Sequence, residues 1–144
     1  QIKAVHVMCT INALCLSSLA NFLHGMVTVR RTAKTEMSFT LNILRFPSFQ
    51  SPLVLPLEKR QKYVDYLDKF LLVANDLLSD MEHEHVARLM RYLLTAESPH
   101  EGASPIPELE KDFKRFYTQY DQRRGKDFGK TFPEFKEWYD DIQL

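Results

Sequence analysis

Cysteine and glycine are scarce in this chain, and several familiar motifs are missing. Two cysteines, Cys9 and Cys15, in 144 residues are too few for a disulfide-stapled scaffold. Both read as small buried hydrophobes, unless one of them reaches the substrate side of a sheet. Four glycines do not supply the tight hairpins of a many-stranded sandwich or barrel. No apolar run approaches the roughly 20 residues that a membrane span needs. The first residues lack the cationic start, apolar core and cleavage site of a secretory leader. A cytoplasmic location and no membrane partner are therefore expected. A glycine-rich phosphate loop and a G-x-S-x-G nucleophile elbow are both absent. Net charge is zero but unevenly spread. Lys3, Arg30, Arg31, Lys34 and Arg45 face a single acid, Glu36, before residue 57, so that part carries +4 and the remainder −4. No stretch is basic enough to signal strong nucleic-acid binding.

What is present suffices for one core. Hydrophobic residues make up 44% of the chain, with ten Phe and six Tyr, and the length favours one domain over two. The stretch Val5–Leu16, VHVMCTINALCL, organises the rest. Ile2 to Met8 reads as an inner strand of a parallel sheet, covered on both faces. His6 within it reads as a hydrogen-bonded core residue. Thr10, Asn12 and Cys15 then fall in the strand-to-helix loop, and in α/β folds ligands gather at the carboxyl ends of strands. Leu16, Leu19, Phe22, Leu23 and Met26 predict an amphipathic helix from Leu16 to about Val29. Arg30 to Lys34 reads as a polar connector. Met37 to Leu44 predicts a second strand, completing a βαβ unit.

Arg45 to Pro56 contains Pro47, Pro52 and Pro56, which forbid a regular helix or central strand. It reads as an ordered loop across the end of the sheet, with Ser48, Gln50 and Ser51 as its polar points. From Leu57 on the pattern is helical. One helix is expected over Leu57–Leu78, with a break near Asn75, and the next runs to about Ala96. Ser79–Glu82 and Thr131–Glu134 each match a capping box. The stripe Leu109, Phe113, Phe116, Tyr117 and Tyr120 predicts a further helix. Phe135, Trp138, Tyr139 and Ile142 predict a last one. His83-Glu84-His85 does not suit a metal, because residues two apart on a helix point about 200° apart. It reads as a solvated helix start. Arg123, Arg124, Lys126 and Lys130 could bind phosphate or simply complement a helix C-terminus. The residues alone thus indicate an α/β class: a helix-rich unit with residues 1–56 holding the βαβ unit and Pro-rich loop, and residues 57–144 forming a helical C-terminal region, the two making one structural unit.

Three segments carry a family resemblance. VHVMCTINALCLSSLANFL resembles a late barrel strand with its helix. NILRFPSFQSPLVLP resembles the strand, Pro-containing loop and Leu-Pro that precede a long helix, here Leu55-Pro56. FYTQYDQRRGKDFGKTFPEFKEWY resembles a terminal run matched by Asp121, Arg124, Phe128, Phe132, Pro133 and Glu134. Together they resemble the C-terminal part of a twitch-domain radical S-adenosylmethionine protein of bacteria and their phages. The resemblance implies the distal part of a partial TIM-type barrel followed by a helical tail. For the full-length parent it implies S-adenosylmethionine and a [4Fe–4S] cluster. It makes Thr10, Asn12 and Cys15 candidate adenosyl- or substrate-side contacts, with Ser48, Gln50 and Ser51 on the substrate-side loop. The family's C-x-x-x-C-x-x-C cluster loop is not in this sequence, and cluster ligation with one open iron needs three protein thiolates. This chain alone is therefore expected to form neither the cluster nor the radical. Its expected partners are the missing N-terminal barrel half and a peptide or small-molecule substrate. The alternative expectation is a stand-alone helical binding or interaction module, an accessory protein without catalysis.

Overall fold

The computed structural model describes residues 2–33 and 35–144. Lys34, the end of the expected polar connector, lies outside them. Strand β1 (Ala4–Ile11) leads through a single 3-10 turn, Ala13–Cys15, into helix α1 (Leu16–Thr32), and strand β2 (Glu36–Ile43) follows. The two strands pair in parallel, in register from Ala4 beside Glu36 to Ile11 beside Ile43. They form a two-stranded sheet among the described residues.

Alternation assigns the faces of this sheet. Val7, Cys9 and Ile11 with Met37, Phe39, Leu41 and Ile43 point toward the helices; Phe39 and Leu41 are fully buried. Helices α1, α2 (Leu57–Ala74) and α3 (Asp80–Thr95) build that side. Their buried stripes, Leu19, Leu23 and Met26, then Leu67 and Phe70, then Val86 and Leu89, recur at helical spacing and join one cluster. A break after Ala74 is made by a 3-10 turn, Asn75–Leu77.

The segment after β2 crosses the end of the sheet in two 3-10 turns, Ser48–Gln50 and Pro52–Val54. Pro52, Leu53 and Val54 are buried, so the Pro-rich loop is part of the core. Helix α4 (Ile106–Arg124) packs on these turns. It stops at Gly125, whose φ of +61° is a left-handed conformation that glycine adopts without a Cβ penalty. Short helices α5 (Phe128–Thr131) and α6 (Lys136–Asp141) fold back on α4. There Phe113 contacts Phe128, Trp138 and Tyr139, and Phe128 stacks on Tyr139 at 4.0 Å between ring centroids. The buried cluster runs through residues from both 1–56 and 57–144.

Four expectations are corrected. β1 is not covered on both faces: Ala4, His6, Met8 and Thr10 are exposed, Met8 at 73%. An apolar run shows that a strand is buried somewhere, but not which chain covers its second face. α1 continues three residues beyond Val29, and Arg30 in its last turn bonds Glu82. Thr131–Glu134 is not a capping box. Asp127 caps α5 instead, accepting from Lys130 N–H, while the Thr131 hydroxyl donates to the Asp127 carbonyl. His83-Glu84-His85 is only partly a solvated helix start, since His85 Nδ1 accepts the Leu41 N–H at 2.9 Å.

Candidate functional site

The carboxyl ends of β1 and β2 bring Thr10, Asn12 and Cys15 together, but not in one role. Asn12 has extended backbone and its carboxamide oxygen accepts from the N–H groups of Leu14 and Cys15, both at 3.0 Å. Cys15 Sγ in turn accepts from Asn12 N–H at 3.2 Å. The pair forms a reciprocal cap that turns the chain from strand to helix. Burial pushes both cysteine thiols up from their ordinary value, and for Cys15 the backbone hydrogen bond at Asn12 only partly opposes this. Thr10 lies within β1, which runs past Met8 to Ile11, and not in the strand-to-helix loop; its side chain stands exposed, beside Asn42 in the register.

Thr10 and Asn42 close one end of a polar strip along the open face of the sheet. The strip continues through Thr40 to Ser38 and His6, with the exposed apolar Met8 between Thr10 and His6. His6 Nδ1 pairs with Ser38 Oγ at 2.6 Å, and His6 Nε2 with Thr40 Oγ1 at 3.2 Å. The expected hydrogen bonding of His6 is present, but on the exposed face and not in the core. Period-2 alternation in TLNI is the sequence signal for this strip. In VHVM the outward-facing Met8 hides the same alternation.

The three loop residues go to different neighbours. Ser48 Oγ donates to His100 Nε2 at 2.6 Å, since His100 Nδ1 donates to the Glu101 carbonyl. Gln50 Oε1 accepts the Tyr117 hydroxyl at 3.0 Å. Ser51 is fully buried, bonded to the Tyr92 hydroxyl at 2.7 Å, and accepts Leu53 N–H. Gln50 lines a cleft with Phe116, Tyr120 and Phe128.

The two edges of the sheet are unlike. The bonds from Glu36 N–H to Lys3 C=O and from Leu44 N–H to Ile11 C=O fix the ladder's phase. Odd residues of β1 face β2, and the N–H and C=O groups of Ala4, His6, Met8 and Thr10 point away from it. No strand meets that edge among the described residues. On the far edge of β2, side chains of α3 take the place of a strand. Glu82 accepts Phe39 N–H at 3.0 Å, His85 accepts Leu41 N–H, and Arg88 donates to Leu41 C=O at 2.8 Å. Positions 82, 85 and 88 lie three apart, on one face of the helix.

The residues present do not fit an iron–sulfur cluster. Three thiolates are needed; Cys15 is committed to the turn, and both thiols are shifted toward the protonated form. Among the described residues no three His, Cys, Asp or Glu side chains are grouped to hold a metal ion. No described helix is long and apolar enough to cross a membrane. Compared with known protein families, with curated proteins and with solved structures, the chain has no match.

Proposed function

We propose that this chain is the distal part of an open parallel β/α barrel of the radical S-adenosylmethionine type. In this reading it supplies adenosyl- or substrate-side contacts, and an N-terminal barrel half supplies the [4Fe–4S] cluster. The observation that carries the reading is a largely polar open sheet face joined to a β1 edge that no described strand meets. Parallel sheets are rarely left uncovered on one face. In β/α barrels the helices lie outside and the other strand face lines the interior, with ligands at the carboxyl ends. Thr10 and Asn42 occupy that end of the open face, where a hydroxyl and a carboxamide suit a nucleoside or a polar substrate. Asn12 and Cys15 serve by shaping the turn beneath them. The α3 side chains on β2 suit the last strand of a sheet that does not close.

The alternative, a stand-alone binding module, draws support from the continuous core joining residues 1–56 to 57–144. The coding sequence upstream of Gln1 separates the two. An in-frame C-x-x-x-C-x-x-C supports the barrel reading; a stop codon followed by a start codon overturns it.

A further inference from the structure

We infer that the aromatic cleft between the Ser48–Gln50 turn, the end of α4 and α5 binds a planar apolar group that carries a carboxylate. This inference does not depend on the radical-enzyme reading, because the cleft is built wholly from described residues of this chain.

The cleft holds about 510 Å³, within the range of small-ligand sites. Its walls are Phe116, Tyr120, Phe128 and Phe132, with Leu14 at one end. Phe128 is buried and forms the floor, whereas Phe116 and Tyr120 are 44% and 45% exposed. Those two lie four apart on α4, so both rings stand on one helix face. Large aromatic side chains in that state offer faces for a flat or apolar group.

Two donors stand at the rim, the Gln50 NH₂ group and Lys126. Gln50 spends its carbonyl oxygen on Tyr117, which leaves its NH₂ group to donate. Lys126 lines the cleft and takes part in none of the described ion pairs. Arg123 and Arg124 flank a second hollow beyond the Phe116–Tyr120 ridge and are equally absent from those pairs. The one acid in the wall, Asp121, uses Oδ2 to accept Phe128 N–H at 2.8 Å; its charge offsets part of that of Lys126 and keeps the preference for an acid modest. Lys126 and the Gln50 NH₂ group over aromatic walls suit an acceptor-bearing anion.

A helix C-terminus disfavours an anion on its axis. Here the Asp121 carbonyl already accepts the N–H groups of Gly125 and Lys126, and the carboxylate would meet Lys126 from the side. Position adds a separate reason. Leu14 follows β1 and Gln50 follows β2, so the cleft opens at the carboxyl ends of the parallel strands, where ligands of such sheets lie.

The same chemistry is offered by a free aromatic acid and by the C-terminal residue of a peptide. The test is an NMR titration of the whole chain with 3-phenylpropionate, its neutral analogue 3-phenylpropanol, and a tripeptide ending in phenylalanine as acid and as amide. The acid should bind in the millimolar range, tighter than the alcohol, with shifts centred on Phe116, Tyr120 and Phe128. Lys126→Gln should weaken the acid about fivefold and leave the alcohol unchanged. Lys126 is exposed, so the variant keeps the fold, and alcohol binding reports that the walls are intact. A peptide acid that binds tighter than 3-phenylpropionate assigns the site to chain ends; equal or weaker binding assigns it to small acids. Equal affinity for acid and alcohol, an acid preference that survives Lys126→Gln, or shifts centred elsewhere would overturn the inference.

Discussion

The carboxylate of Glu82, in the first turn of α3, accepts the main-chain N–H of Phe39 on β2 at 3.0 Å. It also accepts Ser79 N–H, as the N3 member of a capping box. Both guanidinium arms of Arg30 on α1 donate to it, Nη1 at 2.9 Å. One side chain thus ties a strand edge, a helix start and a second helix together. It is only 1% exposed, and a buried carboxylate is tolerable only when its acceptor positions are filled in this way.

Glu82→Gln leaves Arg30 largely buried without a counter-charge. The expected loss is about 3 kcal/mol, the scale of a broken buried pair. Burial alone would raise the Glu82 carboxyl, but Arg30 and the Ser79 and Phe39 N–H groups outweigh it, so its value lies below the ordinary 4.5. A lowered folded value makes the contribution complete above 4.5 and lost as pH falls through the folded value. Thermal melts from about pH 7 to about pH 2 should descend for the native chain more steeply than for the Gln variant. Parallel curves would count against this role.

His85→Leu removes the acceptor of Leu41 N–H and leaves Phe39 N–H with Glu82. An orphaned strand N–H costs about 1–2 kcal/mol. Amide exchange at Leu41 should speed up while exchange at Phe39 stays slow; equal acceleration of both would indicate general loosening.

Asn12→Ala should cost about 1 kcal/mol through the lost cap, a drop of roughly 3 °C in Tm. Asn12→Asp should retain most of the stability. Because burial raises both thiols, Cys9 and Cys15 should alkylate more slowly than a free cysteine at neutral pH. Mass spectrometry after iodoacetamide treatment measures this, and rapid labelling of Cys15 would contradict the closed turn.

Ser51→Ala and Tyr92→Phe each break the buried hydroxyl pair. Each single change should cost about 1–2 kcal/mol, and the double change about 1 kcal/mol less than their sum. Additive denaturation results would show that the two hydroxyls do not act together.

Local rules read well where one segment satisfied itself. The stripes of α1 to α4, the Ser79–Glu82 cap and the parallel strand pair were all legible, since spacing and caps act over a few residues. What escaped was set by distant partners. Glu82 was legible as a cap but not as the acceptor for Phe39, 43 positions away. His85 looked solvated because its partner is a strand edge 44 positions earlier. Thr131 caps nothing because it ends α5, which Asp127 caps through Lys130 N–H, and the last helix starts without a side-chain cap. At the candidate site, the sequence puts Asn12 and Cys15 just after β1, yet only the geometry shows that they bind one another. Asn42 and the His6–Ser38–Thr40 strip needed the register.

The most direct measurement is amide exchange along β1, on this chain and on the product of any longer reading frame. An unfinished sheet predicts alternation in the chain alone: His6, Met8 and Thr10 N–H exchange at least about tenfold faster than Val7, Cys9 and Ile11 N–H. In the longer product the fast set becomes protected as a neighbouring strand pairs there. Uniform protection in the chain alone, or alternation that persists in the longer product, would contradict the account.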